Sequence, residues 1–416
     1  MNYEQISQVI TKLRQHRDLT QQQLSELIDV NQSTISRIEK GDASISFEMY
    51  QKCLNIFQIS LIEDDHSLID AVKEILQAGL ENNSELIKSI YQRIEEKSLY
   101  SIPDYLYYLV AKVFYHAHLD QYGELTEPVK LLDLLSFVIP EQIKAYYHLA
   151  KSYALSHHQK YQEAFTSRQE AFRKMVEHKQ VIPIIYLVYG LDNIVMHRYS
   201  TAQICFSEAL KYVEHDINNW GYYNILKNLG TLFLSEGSYE IALPYLLEVY
   251  ENKKMMEITF YFRQQLDSFL GLTYLNLNDY ELALFYYQDA IEQGTIDVIT
   301  ENSYYYSLYL LKKLNRPLEY VKLLEQVKQT KFYQNELFQK VIDCFFNIND
   351  ESLNQFLYEF NFFNTHFFSS PAISSITKIA HGIYGETLWK KRKYKYYKVL
   401  NDRLINNKFY HLTNEL

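Results

Sequence analysis

Apolar residues recur at helical spacing through the first sixty positions. Ile6, Val9, Ile10 and Leu13 fall on one face of a helix over residues 3–17, with Lys12, Arg14 and Arg17 beside them. Thr20 precedes the run QQQLSELI, with Gln23 at the third helical position, which is the pattern of a capping box. Leu24, Leu27 and Ile28 make the apolar side of that second helix. The tripeptide DVN breaks the periodicity, and Asn31 is placed to cap a third, short helix that Gly41 ends. Residues Ser46–Gln58 give a fourth amphipathic segment. The stretch Ile59–Leu76 has no Pro or Gly and reads as a connecting helix capped by its acidic EDDH. A domain boundary is expected near residue 65.

The third helix, within NQSTISRIEKG, is apolar only at Ile35 and Ile38. An isolated polar helix this short is marginal in water. Two helices joined by a tight turn, the second presenting polar side chains, is the physical plan of a helix-turn-helix. In such a plan Gln32, Ser33, Thr34 and Arg37 face the major groove, where amides read adenine and arginine reads guanine. Ile35 and Ile38 hold the helix to the domain. Arg14 and Arg17 either reach DNA or belong to solvated surface. A helical hairpin with no ligand is the bland alternative for the whole segment.

The segment LTQQQLSELIDVNQSTISRIEKG resembles the XRE/Cro-type helix-turn-helix nearly residue for residue over Thr20–Gly41. The resemblance implies that Gln21 contacts phosphate and that the helix opening at Gln32 is the reader. This chain departs from the usual pattern at Ser25, where Ala is frequent, and at Asp29, where Gly is frequent. Asp tolerates the left-handed turn conformation better than most residues. Residues 1–58 hold six Lys/Arg against seven Asp/Glu, so one head is expected to bind with moderate, salt-sensitive affinity.

Beyond residue 65 the pattern becomes periodic on a longer scale. Asn228–Val249 aligns with Phe269–Ala290 and with Val188–Ala209. Gly190, Gly230 and Gly271 recur at spacings of 40 and 41. Ala202, Ala242 and Ala283 follow each by twelve residues, and Ala209, Val249 and Ala290 by seven more. His148–Ala171 is an earlier copy with Ala150 in the Gly place and two extra loop residues. A small residue lets helix A of a pair approach helix B, the alanines let B pack onward, and aromatics fill the gaps. Weaker pairs are expected over 84–140, 300–330 and 335–365, and a last one over His381–Leu404. The pattern resembles the tetratricopeptide repeat with a longer period than usual. That implies seven to nine helical pairs in a right-handed superhelix with a concave channel.

Such a channel suits an extended peptide, because side-chain amides both donate to and accept from a peptide backbone. Asn224 and Asn228 lie one helical turn apart with Lys227 beside them; Gln264, Gln265 and Ser268 hold comparable places in the next repeat, followed by Asn276. Each is either a ligand contact or a solvated position on helix A. An XRE-type head on a tetratricopeptide body is similar to the RRNPP regulators of Gram-positive bacteria, the NprR-, PlcR- and Rgg-like receptors. In that family an Asn two residues before the small A-helix residue binds the peptide backbone. Asn228, before Gly230, matches that place; Phe269 and Val188 occupy it in the flanking repeats and do not.

Composition narrows the class further. Gly 11 and Pro 7 in 416 residues are low, while Tyr 39 and Phe 23 are high, which favours helices with aromatic seams over a turn-rich β fold. Cys53, Cys205 and Cys344 are far apart and the thirteen His are scattered, so neither a disulfide framework nor a metal site is expected. No HExxH, GxSxG, Walker or GxGxxG pattern occurs, so no enzyme and no cofactor are expected. The N-terminal residues do not read as a signal peptide, and no run approaches the ~18 apolar residues of a membrane span, so a cytoplasmic protein is expected. A net charge of −10 argues against a general nucleic-acid coat without excluding a local DNA contact. KKRKYKYYK (Lys390–Lys398) is either a solvated helix face or a contact for an acidic partner or DNA.

The sequence therefore reads as an all-α protein: a five-helix helix-turn-helix domain over residues 1–65, then a repeat superhelix over 66–416 for peptide sensing and dimerisation. The expected partners are double-stranded operator DNA, a short signalling oligopeptide and a second copy of the chain. The alternative is a repeat scaffold that binds and inhibits a signalling protein, as in Rap-like binding of response regulators, with or without DNA.

Overall fold

The computed structural model describes residues 2–330, apart from 43, 62–67, 97–99, 214–219, 253–259 and 293–297. The helical pairs expected over 335–365 and 381–404, the basic run at 390–398 and the EDDH cap lie outside the described residues. Among the described residues there are eighteen α-helices and one two-stranded β bridge, so the fold is all-α as the periodicity predicts. None of these helices is long and apolar enough to cross a membrane.

The first four helices are α1 (Tyr3–His16), α2 (Gln21–Leu27), α3 (Gln32–Glu39) and α4 (Phe47–Asn55). The expected Thr20 capping box is present: Thr20 Oγ1 accepts from Gln23 N at 3.0 Å, and Gln23 Oε1 accepts from Thr20 N at 2.8 Å. A second box, which the pattern reading missed, starts α1 through Asn2 and Gln5. Ile6, Val9, Ile10 and Leu13 are buried in the core, as are Leu24, Ile35 and Ile38. Asp29 takes a φ of +56° in the turn between α2 and α3, the conformation a glycine there would adopt.

The stretch after α4 is not one connecting helix. Ile59–Ser60 (β1) pairs in parallel with Tyr100–Ser101 (β2), and α5 (Ile69–Leu80) starts ten residues later than Ile59. Ile59 is fully buried, and the Tyr100 N–H donates to Gln58 O at 3.0 Å. An extended bridge that buries Ile59 thus wins over helical continuation there.

The remaining helices form seven antiparallel pairs among the described residues: α5 with α6 (Ser84–Glu95), α7 (Ile102–His118) with α8 (Thr126–Leu134), α9 (Glu141–His157) with α10 (Tyr161–Glu177), α11 (Pro183–Val195) with α12 (Tyr199–Leu210), α13 (Trp220–Glu236) with α14 (Tyr239–Asn252), α15 (Phe260–Asn276) with α16 (Tyr280–Glu292), and α17 (Val298–Lys313) with α18 (Pro317–Lys328). The chain divides into two compact units, Met1–Ile225 and Leu226–Leu416, the boundary falling inside α13.

Each pair turns the same way. Asn82, Asp120, Gln159, His197, Gly237, Asn278 and Asn315 take positive φ, one per turn within a pair. In every case the next N–H reaches back to the helix, as from Asn83 to Ala78 O at 2.8 Å and from Ser238 to Phe233 O at 2.8 Å. These are Schellman caps, which satisfy the last carbonyls of helix A and reverse the chain into helix B. The small residues act as expected: a Cβ on Gly190 would meet Phe206 at 2.6 Å, and one on Gly230 would meet Leu246 at 2.6 Å. Ala202, Ala242, Ala283, Ala209, Val249 and Ala290 are all buried.

Candidate functional site

The head presents α3 outward. Gln32, Ser33 and Arg37 are exposed and Thr34 is half-buried, while Ile35 and Ile38 are fully buried. Asn31 holds the N-cap position, but its side chain makes no capping hydrogen bond. The first N–H groups of α3 are therefore not closed off by that amide.

Arg37 is held at the other end of the helix. Its Nε donates to Asp42 Oδ2 at 2.8 Å and its Nη2 to Ser44 Oγ at 2.5 Å. Asp42 also accepts the Ser44 N–H at 2.9 Å. Hydrogen bonds from Ser44, then from Arg37, hold the Asp42 carboxyl down at about 2. Arg37 remains half exposed, so a groove contact would be made by the guanidinium as Asp42 presents it or after Asp42 releases it.

Gln21 and Arg14 meet at a residue that the pattern reading did not single out. Glu39, in the last turn of α3, accepts from Arg14 Nε at 2.5 Å, Arg14 Nη2 at 3.2 Å and Gln21 Nε2 at 2.7 Å. Arg14 also donates to Leu19 O at 2.5 Å. Arg14 and Glu39 are only 12% and 8% exposed. The network ties α1, α2 and α3 together, with Arg14 turned into it. Arg17 instead lies over the Phe57 ring at 5.1 Å and donates to Ile56 O at 3.0 Å. The signal that could have found Glu39 was a lone carboxylate in a polar helix, but its partners sit 18 and 25 residues away.

The polar positions of the repeats fall on successive A helices. Asn224 is half-buried on α13, in the first unit. In the second unit Lys227 and Asn228 are buried on the same helix, and Gln264 is fully buried on α15. Lys227 Nζ donates to Gln265 Oε1 at 2.9 Å and sits 4.5 Å above the Phe262 ring. Burial alone lowers its pKa to about 8. Gln264 Nε2 donates to Ala290 O at 3.1 Å, so that amide braces α15 against α16. Asn276 Nδ2 donates to Leu272 O at 2.8 Å within its own helix. Ser268 is half-buried. Lys227 and Gln265 are thus brought together across α13 and α15, whereas Gln264 and Asn276 use their amide donors within the fold. Among the described residues no cluster of His, Cys, Asp and Glu could hold a metal ion.

Residues 10–63 match the Helix-turn-helix family HTH_3. No curated protein matches the chain in sequence. Among solved structures the chain is similar to the apo form of the quorum sensor NprR from B. thuringiensis, with a TM-score of 0.61 and 15% identity over 82% of this chain and 98% of that one. It is similar to NprR in complex with its cognate peptide NprX, with a TM-score of 0.58 and 15% identity over 82% and 100% of the two chains. It is also similar to a Rap protein complexed with Competence and Sporulation Factor, with a TM-score of 0.58 and 13% identity over 83% and 97%. The chain thus carries a helix-turn-helix at its N-terminus and helical repeats with the fold of the NprR and Rap proteins.

Proposed function

We propose that this protein is a transcription regulator of the RRNPP type, whose operator affinity is set by a short imported signalling peptide. Residues 1–65 are the DNA-binding head and residues 66–416 the sensor and dimerisation body. Gln32, Ser33, Thr34 and Arg37 read bases, and Gln21 fixes the head on phosphate. Arg14 acts from behind, through Glu39, as a positioning residue. Within the second unit the peptide is held by Lys227, Asn228 and Gln265, with Ser268 as a further contact.

The observation that carries this reading is the conjunction of an outward polar α3 in a helix-turn-helix with a body whose fold is that of NprR, a protein seen with its cognate peptide. The peptide need only bind two arrangements of the repeats unequally to shift the operator affinity. Two heads on a dimer would read half-sites about one helical turn, or a multiple, apart.

The test pairs DNA and peptide. Salt-dependent retardation of promoter fragments, altered by a peptide from a small reading frame beside the gene, is the expected result. Calorimetry with that peptide should show the Asn228→Ala variant binding about tenfold or more weakly, as for loss of a buried amide contact of ~1–3 kcal/mol. The likeness to a Rap protein favours one second reading, a scaffold that binds a signalling protein. Absence of both DNA and peptide binding would favour that scaffold.

A further inference from the structure

We infer that the ligand of the second unit presents a carboxylate group to Lys227. The inference rests on the peptide-receptor reading and specifies the peptide chemistry.

Lys227 is only 8% exposed, and long cationic side chains are seldom buried without an anion beside them. Its described partners are neutral: the Gln265 side-chain oxygen at 2.9 Å and the Phe262 ring at 4.5 Å. Among the described residues no carboxylate lies within ion-pair distance of it, and burial alone acts on its pKa. Asp267, a buried carboxylate on α15, exerts its charge on Tyr250 and Tyr286. An ammonium has three donors, and an amide oxygen with one aromatic face does not replace its hydration. A structural lysine would be better served by an apolar residue of the same length. An arriving carboxylate would supply the missing charge, with the Gln265 amide beside it.

A peptide has two sources of that group, its C-terminus and an acidic side chain. The full-length protein, immobilised, is offered three random heptapeptide libraries. The first has free C-termini and no Asp or Glu; the second is C-terminally amidated and contains Asp and Glu; the third is amidated and lacks both. Retained peptides are read by mass spectrometry. The wild type is expected to enrich peptides at least tenfold from the first or second library and not from the third, and the library that yields them identifies the source. Lys227→Met should lose that enrichment while melting no lower than the wild type. Lys227→Arg should keep the preference for carboxylate.

Equal enrichment from the third library would overturn the inference and leave the receptor reading standing. So would retention of the preference in Lys227→Met. A Lys227→Met protein that melts well below the wild type would also overturn it, because the lysine would then be part of the fold. Enrichment from none of the three would overturn the receptor reading and the inference together.

Discussion

Lys12, on the first helix, donates its ammonium to the carbonyl oxygen of Leu134 at 3.0 Å, 122 residues further along the chain. The same ammonium lies 4.7 Å from the Phe137 ring, and His16 one turn later meets Glu127 at 2.5 Å. Leu134 ends α8, where unpaired carbonyls attract a cation. With the β1–β2 bridge, the head therefore grips the second helical pair at two separate places. Any rearrangement of α7 and α8 would be felt at α1.

The grip should be measurable. A Lys12→Met variant loses a charge-assisted hydrogen bond, about 1–2 kcal/mol. Native-state hydrogen exchange should quicken roughly five- to thirtyfold in the last turn of α8 and in the facing part of α1. Helix α10 should be unaffected. Unchanged exchange in α8 would mean that the head is held by the bridge alone.

The proposed reading face of α3 makes a different demand. Arg37→Ala or Gln32→Ala should lose discrimination by about 1–3 kcal/mol for each lost base contact, with the fold intact. Gln21→Ala should weaken binding to all sequences alike, because phosphate contacts carry no base information. Asp42→Asn removes the anion holding Arg37 and should tighten binding to every sequence several-fold. Anisotropy titrations on operator and scrambled duplexes separate the three cases. A changed base preference in the Gln21 variant would show that α2 is misassigned.

Glu39 carries the inner network. Glu39→Ala leaves Arg14 buried without its partner, a change that typically costs about 3–5 kcal/mol. The head should melt early, and DNA binding should fall for operator and scrambled duplexes together. Retention of the wild-type melting temperature would show that Arg14 finds water or a new acceptor there.

What could be read from the sequence followed what is local. Apolar spacing placed α1 to α4, Thr20 and Gln23 placed a cap, and Asp29 held its turn. Gly190, Gly230 and Gly271 marked the close approaches, because a missing Cβ is visible in one dimension. The seven left-handed turns were not, since Asn, Asp, Gln, His and Gly share that role and only the backbone reveals it. Glu39 was invisible for a related reason: its partners are assembled by the fold. The polar A-helix positions looked equivalent in sequence. Only packing separates Gln264, which donates to Ala290, from Lys227, whose described partners are a side-chain amide and an aromatic ring.

Packing also makes His118 acid-sensitive. Its ring lies against the backbone of Gly79, where even a Cβ would come within 2.1 Å of Nε2, and among the described residues that nitrogen has no hydrogen-bond partner. Burial pulls its pKa down to about 4, with a small opposing effect of Asp120. The folded state thus holds the ring neutral, while the unfolded chain takes up a proton near the ordinary value of about 6.5. Between those two values the unfolded state binds more protons, so stability rises with pH and is lost as pH falls from about 6.5 towards 4. At pH 5 the loss from this one residue is on the order of 2 kcal/mol relative to neutral pH. His148, also lowered to about 4 by burial, adds a loss of the same sign. Thermal melts at pH 7.5 and pH 5 should show a marked drop for the wild type and a smaller drop for His118→Leu, which cannot titrate. Equal drops for the two proteins would show that His118 already carries its proton in the folded state, or that its ring leaves the Gly79 contact at little cost.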